Sequence, residues 1–293
     1  MDAVREWEAM GTRIDVLGHR IFVIDHSPRT TPHGCILVLH GFPSCSFDYR
    51  AVLPALAAEH RVVLIDLLGY GLSDKPHDRP YSLFEQADIV EACVKTLGID
   101  SVKLLTHDMG DSVGGELLAR ALDGGLGFEV TARAITNGSI YMDLVQLSVG
   151  QQWMLALPDA ALPDDQAPNE DLFAASLAAT FAPATQPSAD EVRAQWLLVS
   201  RGDGHRILPR LIRYVEERRV HEGRWTGAVE RHPSPLDIIW GDLDPIAVWP
   251  MAQRLADRNR FARLVRLEGV GHYPMIETPD RFVETLASFL SAG

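Results

Sequence analysis

KLLTHDMGDSVGGELL, residues 103–118 of this 293-residue chain, joins two patterns without a loop between them. The apolar run Val102–Thr106 is typical of a strand buried on both faces of a sheet. Gly110–Ala121 has apolar residues at helical spacing. The strand and the helix must therefore meet in a tight turn, where small residues allow a sharply bent backbone. We predict a strand, a sharp turn and a helix in direct succession.

The same alternation extends on both sides of this segment. Cys35–His40 and Val62–Leu67 are near-continuous apolar runs, and helical spacing follows them in Phe47–His60 and Leu83–Leu97, the latter with Ser82 as N-cap. Further patterns predict strands at Ile14–Leu17, Ile21–Ile24, Leu236–Trp240 and Leu264–Leu267, and a closing helix at Thr278–Leu290. Alternating strands and helices predict the α/β class, with a mostly parallel sheet flanked by helices.

The middle of the chain has a different pattern. From about Asn137 to His232 the strand signal fades, and Pro- and Asp-rich loops separate helical stretches. These stretches are Gln146–Leu157, Leu172–Phe181, Ala189–Ser200 and Leu208–Arg219. The strands on either side would otherwise form two incomplete sheets. We therefore interpret residues 137–232 as a helical lid, or cap, inserted into a core of residues 1–136 and 233–293. A separate helical domain is the alternative.

Composition limits the partners and the compartment. A net charge of −13 disfavours nucleic acid and anionic membranes as partners. Three cysteines without a C-x-x-C spacing favour a reducing compartment. The first ten residues lack an apolar stretch, and no run of 18 apolar residues occurs, so we expect a cytoplasmic protein without a signal peptide. No metal-ligand spacing is present, so neither a metal nor an organic cofactor is expected. The sequence leaves a homodimer open.

Two candidate nucleophiles stand close together in the quoted segment. Asp108 lies within two residues of the end of the strand, where the turn should fall, at the N-terminus of a helix that stabilises negative charge. Ser112 belongs to a literal G-x-S-x-G motif, Gly110–Gly114, but lies about one helical turn further on. Placing Ser112 at the turn would extend the strand through three polar residues. We therefore favour Asp108, with a structural N-cap as its alternative role.

Late in the chain, the two groups that such a nucleophile needs follow predicted strands. A carboxylate nucleophile requires a base that activates water and a third group that orients the base. His272, in the loop after the last strand, is the predicted base. Asp244, in Gly241–Pro245, is the predicted orienting acid, and Asp242 is the second choice.

An early loop supplies a predicted oxyanion site. His40, Gly41, Phe42 and Pro43 come at the end of the predicted strand Cys35–His40, beside the nucleophile turn in a parallel sheet. The backbone N–H groups of Phe42 and Met109 should converge on developing negative charge. Gly41 lets the backbone turn, and Pro43 fixes the following geometry, with a cis bond as one option.

With these residues placed, the chain resembles the epoxide-hydrolase and haloalkane-dehalogenase branch of the α/β-hydrolases. The motifs that carry the resemblance are HGFP at residues 40–43, GYGLSDKP at 69–76 and HDMG at 107–110. Within that branch, the chain is most similar to the mesoderm-specific-transcript-like hydrolases, through LLGYGLSDKP, HDMGD and LIRYVEERRVHEGRW. The resemblance implies an α/β-hydrolase fold with an inserted lid. It also implies a two-step reaction, in which the carboxylate forms an alkyl-enzyme ester that water then cleaves.

The resemblance also implies how the leaving atom is stabilised. Dehalogenases of this branch use side-chain N–H donors, but Phe42 and Met109 cannot donate. Epoxide hydrolases use two lid tyrosines, for which Tyr214 and Tyr141 are the candidates; a half-buried aromatic is the alternative role. The lid side chains that could also donate are His205, Trp153 and Trp196.

The favoured hypothesis is therefore an epoxide hydrolase acting on a small apolar electrophile. Three alternatives remain: a haloalkane dehalogenase-like hydrolase that accepts an alkyl halide, a serine esterase acting through Ser112, and a non-catalytic ligand-binding protein on a hydrolase scaffold.

Overall fold

A single eight-stranded sheet forms the centre of the protein in a computed structural model that describes residues 2–292. The strand order is β1-β2-β4-β3-β5-β6-β7-β8, with β1–β2 and β2–β4 antiparallel and the remaining pairs parallel. The strands are β1 (Thr12–Val16), β2 (His19–His26), β3 (Cys35–Leu39), β4 (Arg61–Ile65), β5 (Ser101–His107), β6 (Glu129–Thr136), β7 (Leu236–Gly241) and β8 (Ala262–Leu267). This confirms the predicted α/β class and its mostly parallel sheet.

Helices cover the sheet and follow most of its strands. They are α1 (Asp2–Met10), α2 (Leu53–Leu56), α3 (Leu83–Thr96), α4 (Met109–Leu122), α5 (Val149–Ala156), α6 (Glu170–Ala178), α7 (Ala189–Ser200), α8 (Leu208–Leu211), α9 (Tyr214–Arg231), α10 (Trp249–Arg258), α11 (Pro274–Glu277), α12 (Pro279–Thr285) and α13 (Ala287–Ser291), with short 3₁₀ helices at Ser46–Tyr49 and Arg201–Ile207. The side chain of Ser82 accepts a hydrogen bond from the Phe84 N–H, as expected of an N-cap. Within residues 2–292, no helix is long and apolar enough to cross a membrane.

Two predicted helices of the core differ from the structure, and one strand was not predicted. The helix expected at Phe47–His60 is split into a 3₁₀ turn and α2, because Pro54 has no N–H and is tolerated only in the first helical turn. The closing helix expected at Thr278–Leu290 begins at Pro279 and is interrupted at Leu286. Strand β6 escaped prediction because its sequence, EVTARAIT, places polar residues in a strand that is almost fully buried.

Between β6 and β7 the chain forms helices α5–α9, and no strand occurs in residues 137–235, all of which the structure describes. The helix predicted at Leu208–Arg219 ends after one turn, and α9 then continues to Arg231. Helix α9 lies along α4, where Arg224 Nε and Trp225 Nε1 donate to Glu116 Oε2 at 2.6 and 2.9 Å. The segment predicted as a lid is thus anchored to the helix that follows the central strand.

The sheet decides where the polar loops meet. Strands β3, β5, β6, β7 and β8 are parallel, so their carboxyl ends lie along one edge. The loops after four of these strands carry His40, Asp108, Asp244 and His272.

Candidate active site

Asp108 occupies the turn between β5 and α4. Its backbone has φ 49° and ψ −112°, a conformation that residues other than glycine rarely adopt. Its side chain is 2% exposed. The adjacent Gly110 passes so close to β3 that an added Cβ would lie 2.5 Å from the Leu39 carbonyl oxygen. The predicted position of the turn is confirmed, and it presents a carboxylate at the start of a helix.

The loop after β3 meets this carboxylate. The Phe42 N–H donates to Asp108 Oδ2 at 2.8 Å, and Gly41 permits the approach because a Cβ there would lie 2.6 Å from Asp108 Cβ. His40 steadies the loop, since its Nδ1–H donates to the Gly41 carbonyl and its Nε2 accepts from the Leu67 N–H. The Phe42–Pro43 peptide bond is cis. Met109 begins α4 directly after Asp108.

His272 and Asp244 form the second half of the arrangement. His272 Nδ1 donates to Asp244 Oδ2 at 2.7 Å, and His272 Nε2 lies 4.0 Å from Asp108 Oδ1. Asp244 is fixed in turn, because its Oδ1 accepts from the Ile246 and Ala247 N–H groups at 2.7 and 3.0 Å. All three side chains are at least 96% buried. The structure thus brings together the three residues that the sequence predicted.

The charges around His272 determine its protonation. Burial lowers the pKa of the imidazole, but the carboxylates of Asp244 and Asp108 more than offset this and raise it to about 9. This raised pKa favours the protonated imidazole at neutral pH. Loss of the Asp108 charge would lower the pKa.

Two residues near the triad were missed from the sequence. Asn137 follows β6 and adopts φ 50°; its Nδ2 donates to Asp244 Oδ2 at 2.8 Å and its Oδ1 accepts from the Gly241 N–H. His107 Nε2 donates to the His272 carbonyl at 2.8 Å, and burial together with the nearby His272 lowers the pKa of His107 to about 3. Asn137 directly follows a strand that was not predicted, so no sequence pattern pointed to it. His107, however, lies inside the HDMG motif.

Two alternatives left open by the sequence are placed elsewhere. Ser112 lies within α4, where its Oγ accepts from Arg218 Nε at 2.7 Å. Asp242 pairs with Arg266 at 2.8 Å and accepts from the Gly269 N–H, so it does not orient His272.

The two candidate tyrosines have different surroundings. The ring of Tyr214 lies 5.7 Å from the ring of Phe42, and burial and the Asp108 carboxylate raise the pKa of its phenol. The prediction for Tyr141 is wrong. Its hydroxyl donates to Glu230 Oε1 at 2.8 Å, and the guanidinium groups of Arg254 and Arg258 lie over its ring. Tyr141 lies near the start of the segment after β6, and its bond to Glu230 holds it at the C-terminal end of α9.

Two further tyrosine hydroxyls belong to the surroundings of Asp108. Tyr70, from the GYGLSDKP motif, is buried, and its hydroxyl donates to the Met109 sulfur at 3.1 Å, a weak acceptor. The Tyr273 hydroxyl, next to His272, lies 3.4 Å from the Phe42 carbonyl oxygen. The Asp108 carboxylate contributes to a raised pKa in both phenols, in which burial is the larger cause.

A cavity of about 530 Å³ opens between the core loops and helices α5 and α6. Phe42, His272 and Tyr273 line its inner end, and Gln151 is a polar group on its wall. The rest of the lining is mainly apolar and includes Trp153. His205 and Trp196, the other suggested donors, do not line this cavity; their rings contact each other instead, with centroids 5.6 Å apart.

A sheet of this order, with two aspartates and a histidine brought together at its carboxyl edge, is typical of one class of enzymes. The chain belongs to the α/β-hydrolase family, whose sequence profile, described as the alpha/beta hydrolase fold, matches residues 34–279. It is therefore a hydrolase of the α/β fold.

Individual relatives narrow the comparison. The chain is 40% identical over 290 residues to "Putative hydrolase LipZ" of Mycobacterium tuberculosis, covering 98% of each chain. It is 32% identical to the mesoderm-specific transcript homolog protein of Bos taurus, covering 99% of this chain and 88% of that one. The structure of the haloalkane dehalogenase DbeA from Bradyrhizobium elkani superposes with a TM-score of 0.77 at 20% identity, covering 96% of this chain and 97% of that one; this shows similarity of fold.

Proposed function

We propose that this hydrolase opens epoxides to vicinal diols through a covalent ester on Asp108. The observation that carries the proposal is the carboxylate at the turn. Its Oδ2 is bound by the Phe42 N–H, while its Oδ1 faces His272 Nε2. Oδ1 is therefore the oxygen available for attack, and Oδ2 is the one already placed in the oxyanion site.

In the first step, Asp108 Oδ1 attacks an epoxide carbon and the C–O bond breaks. The opened oxygen gains negative charge and takes a proton from a nearby hydroxyl, for which Tyr214 is the leading candidate and Tyr70 the second. Phe42 and Met109 offer no side-chain N–H, so the hydroxyls of these tyrosines favour an oxygen over a halide as the leaving atom.

In the second step, His272 removes a proton from water, and the hydroxide attacks Asp108 Cγ. Negative charge then develops on Oδ2, where the N–H groups of Phe42 and Met109 stabilise it. The ester bond breaks as the added hydroxyl passes its proton to the departing diol oxygen, and one oxygen of the regenerated carboxylate comes from water. Formation of the ester removes the charge of Asp108 and lowers the pKa of His272, so the imidazole gives its proton to the tyrosinate left by the first step and then acts as the base in the second.

We further propose that residues 137–232 act as a lid over this site, with the core formed by 1–136 and 233–293. The mainly apolar cavity between α5, α6 and the core loops supports a small apolar electrophile as substrate.

The test is multiple turnover of styrene oxide in ¹⁸O-water, followed by mass analysis of the peptide that contains Asp108. Diol together with ¹⁸O in Asp108 is the expected result, and Asp108→Ala should form no diol while Ser112→Ala still does. Diol without label would overturn the ester route. Release of halide from alkyl halides, with no diol from epoxides, would instead support the dehalogenase alternative. Ester cleavage that disappears in Ser112→Ala would support the serine esterase, and binding without any product would support a non-catalytic scaffold.

A further inference from the structure

Arg218 is a buried cation that crosses from α9 to the core beside the candidate site. It is 1% exposed. Its Nε donates to Ser112 Oγ at 2.7 Å and its Nη1 donates to the Ser139 carbonyl at 3.0 Å. The first bond ties α9 to α4, close to the end that follows Asp108, and the second ties α9 to the loop after β6.

No carboxylate within residues 2–292 forms an ion pair with Arg218, in contrast to Arg224 one and a half turns further along α9, which pairs with Glu116. Asp111, the acid next to Ser112, forms no ion pair with Arg218 either; burial raises the pKa of Asp111 well above the usual range, and the charge of Arg218 opposes this. A buried charge without an ion-pair partner is costly, and in the low-dielectric interior its field acts strongly on the groups around it.

The charge of Arg218 acts on Tyr214. It precedes Arg218 by one helical turn, and the guanidinium carbon lies 4.9 Å from the centroid of its ring. Burial and Asp108 raise the pKa of the Tyr214 phenol, whereas the charge of Arg218 opposes them. A cation over the ring makes the O–H a stronger hydrogen-bond donor.

We propose that Arg218, held by Ser112, is a positioning residue that fixes the Tyr214 ring beside Asp108 and strengthens its hydroxyl as a donor to the opening epoxide oxygen. This inference rests on the proposed function. It also gives the serine of the G-x-S-x-G motif a different role, because Ser112 orients a guanidinium and does not attack the substrate.

The kinetic test is a double-mutant cycle. Single-turnover alkylation of Asp108 by styrene oxide is measured in wild type, Arg218→Met, Tyr214→Phe and the double variant. Arg218→Met should slow alkylation about 10-fold, in line with the strength of a desolvated cation–π contact. In the Tyr214→Phe background the same change should have less than about a 2-fold effect, because the group through which Arg218 acts is gone. Hydrolysis of the preformed ester should be unchanged.

Arg224→Met is the matched structural control, since Arg224 also joins α9 to α4 but does not contact Tyr214. It should lower the melting temperature without slowing alkylation. Ser112→Ala should also slow alkylation of Asp108, but less than Arg218→Met does. Equal slowing by Arg218→Met in both backgrounds, or equal slowing by Arg224→Met, would overturn the inference.

A second measurement does not depend on turnover. The protein is labelled with 3-fluorotyrosine, the Tyr214 resonance is assigned by its loss in Tyr214→Phe, and its pKa is followed by ¹⁹F NMR. Removal of the charge in Arg218→Met should raise the pKa of this phenol, whereas Arg224→Met should not. An unchanged pKa would refute the inference even if the epoxide reaction were established. If the pKa of Tyr214 rises in Arg218→Met but wild type forms no diol from epoxides, the effect of Arg218 on Tyr214 is supported and the proposed function is rejected.

Discussion

The imidazole of His272 is held between two carboxylates, and only one of them changes during the proposed reaction. Asp244 keeps its charge and its bonds to the Ile246 and Ala247 N–H groups throughout. Asp108 loses its charge when it becomes an ester. In that reaction the base strength of His272 is therefore coupled to the state of Asp108, 4.0 Å away.

This coupling predicts the pH dependence of ester hydrolysis. In the free protein burial lowers the pKa of His272, but Asp244 and, to a smaller extent, Asp108 and Glu277 raise it to about 9; alkylation removes the contribution of Asp108. The rate of ester hydrolysis in rapid-mixing experiments should rise with pH, because neutral imidazole is the base, and should level off above a midpoint below 9. A midpoint at or above 9 would contradict the coupling. His272→Gln serves as the control and should show no such step.

Replacing His272 should separate the two chemical steps. His272→Gln retains Asp108 and the Phe42 N–H but has no base for water. The alkyl ester should then accumulate to about one equivalent per protein, because the second step slows by a factor on the order of 10² or more. Intact-protein mass spectrometry after incubation with styrene oxide measures the added mass. If the variant never carries an adduct while wild type forms diol, the two-step scheme is incorrect.

At the scale of elements, helices α5 and α6 present apolar side chains to solvent at the mouth of the cavity. Val149, Trp153 and Leu172 are 85%, 40% and 45% exposed, and all three line it. Exposed apolar side chains around an apolar cavity commonly mark a binding surface. Substrate chains too long for the interior should therefore lie across this rim.

Trp153→Ala should weaken binding of long substrates selectively. For epoxides with a long alkyl chain, loss of apolar contact should raise KM about 3- to 10-fold, and for styrene oxide less than about 2-fold, with kcat retained. Steady-state kinetics over a series of chain lengths measures this. Leu197→Ala removes an apolar side chain of α7 of similar exposure, 36% against 40% for Trp153, that does not line the cavity, and should have no effect. A change in KM that is the same for short and long substrates would contradict the prediction that long chains bind across this rim.

At the scale of the whole molecule, Arg133 joins the end of the helical segment to the sheet. From the centre of β6, its guanidinium donates to the carbonyls of Val229, His232 and Ser234 and to Ser234 Oγ, at 2.7–2.9 Å. These acceptors lie where α9 ends and β7 is about to begin. The buried side chain of Arg133 therefore holds the segment that links α9 to β7 against the sheet.

Arg133→Met should destabilise the whole protein, because it leaves several buried acceptors without donors. We expect a loss of roughly 3 kcal/mol or more in the free energy of unfolding. Urea denaturation measures it. Arg20→Met removes an exposed arginine paired with Asp74 and should cost less than about 1 kcal/mol. Similar losses in the free energy of unfolding of the two variants would show that the buried Arg133 contributes no more to stability than an exposed arginine.

Local pattern was sufficient wherever the chemistry is carried by short segments. The apolar runs predicted seven of the eight strands, and the abrupt change after Thr106 predicted the turn at Asp108, because a buried strand cannot continue through polar residues. The loops after β3, β7 and β8 could be assigned to one edge, because the carboxyl ends of parallel strands meet there.

Long-range contacts decided the rest. Strand β6 was hidden because Arg133 is buried through bonds to residues about 100 positions away. Tyr141 and Tyr214 are both lid tyrosines by sequence, yet Glu230 holds one away from the site while Phe42 and Arg218 hold the other beside it. Ser112 matches a nucleophile motif, but the guanidinium that binds it arrives from α9. Periodicity reports which face of an element is buried, whereas the partner of a polar side chain depends on how distant segments pack.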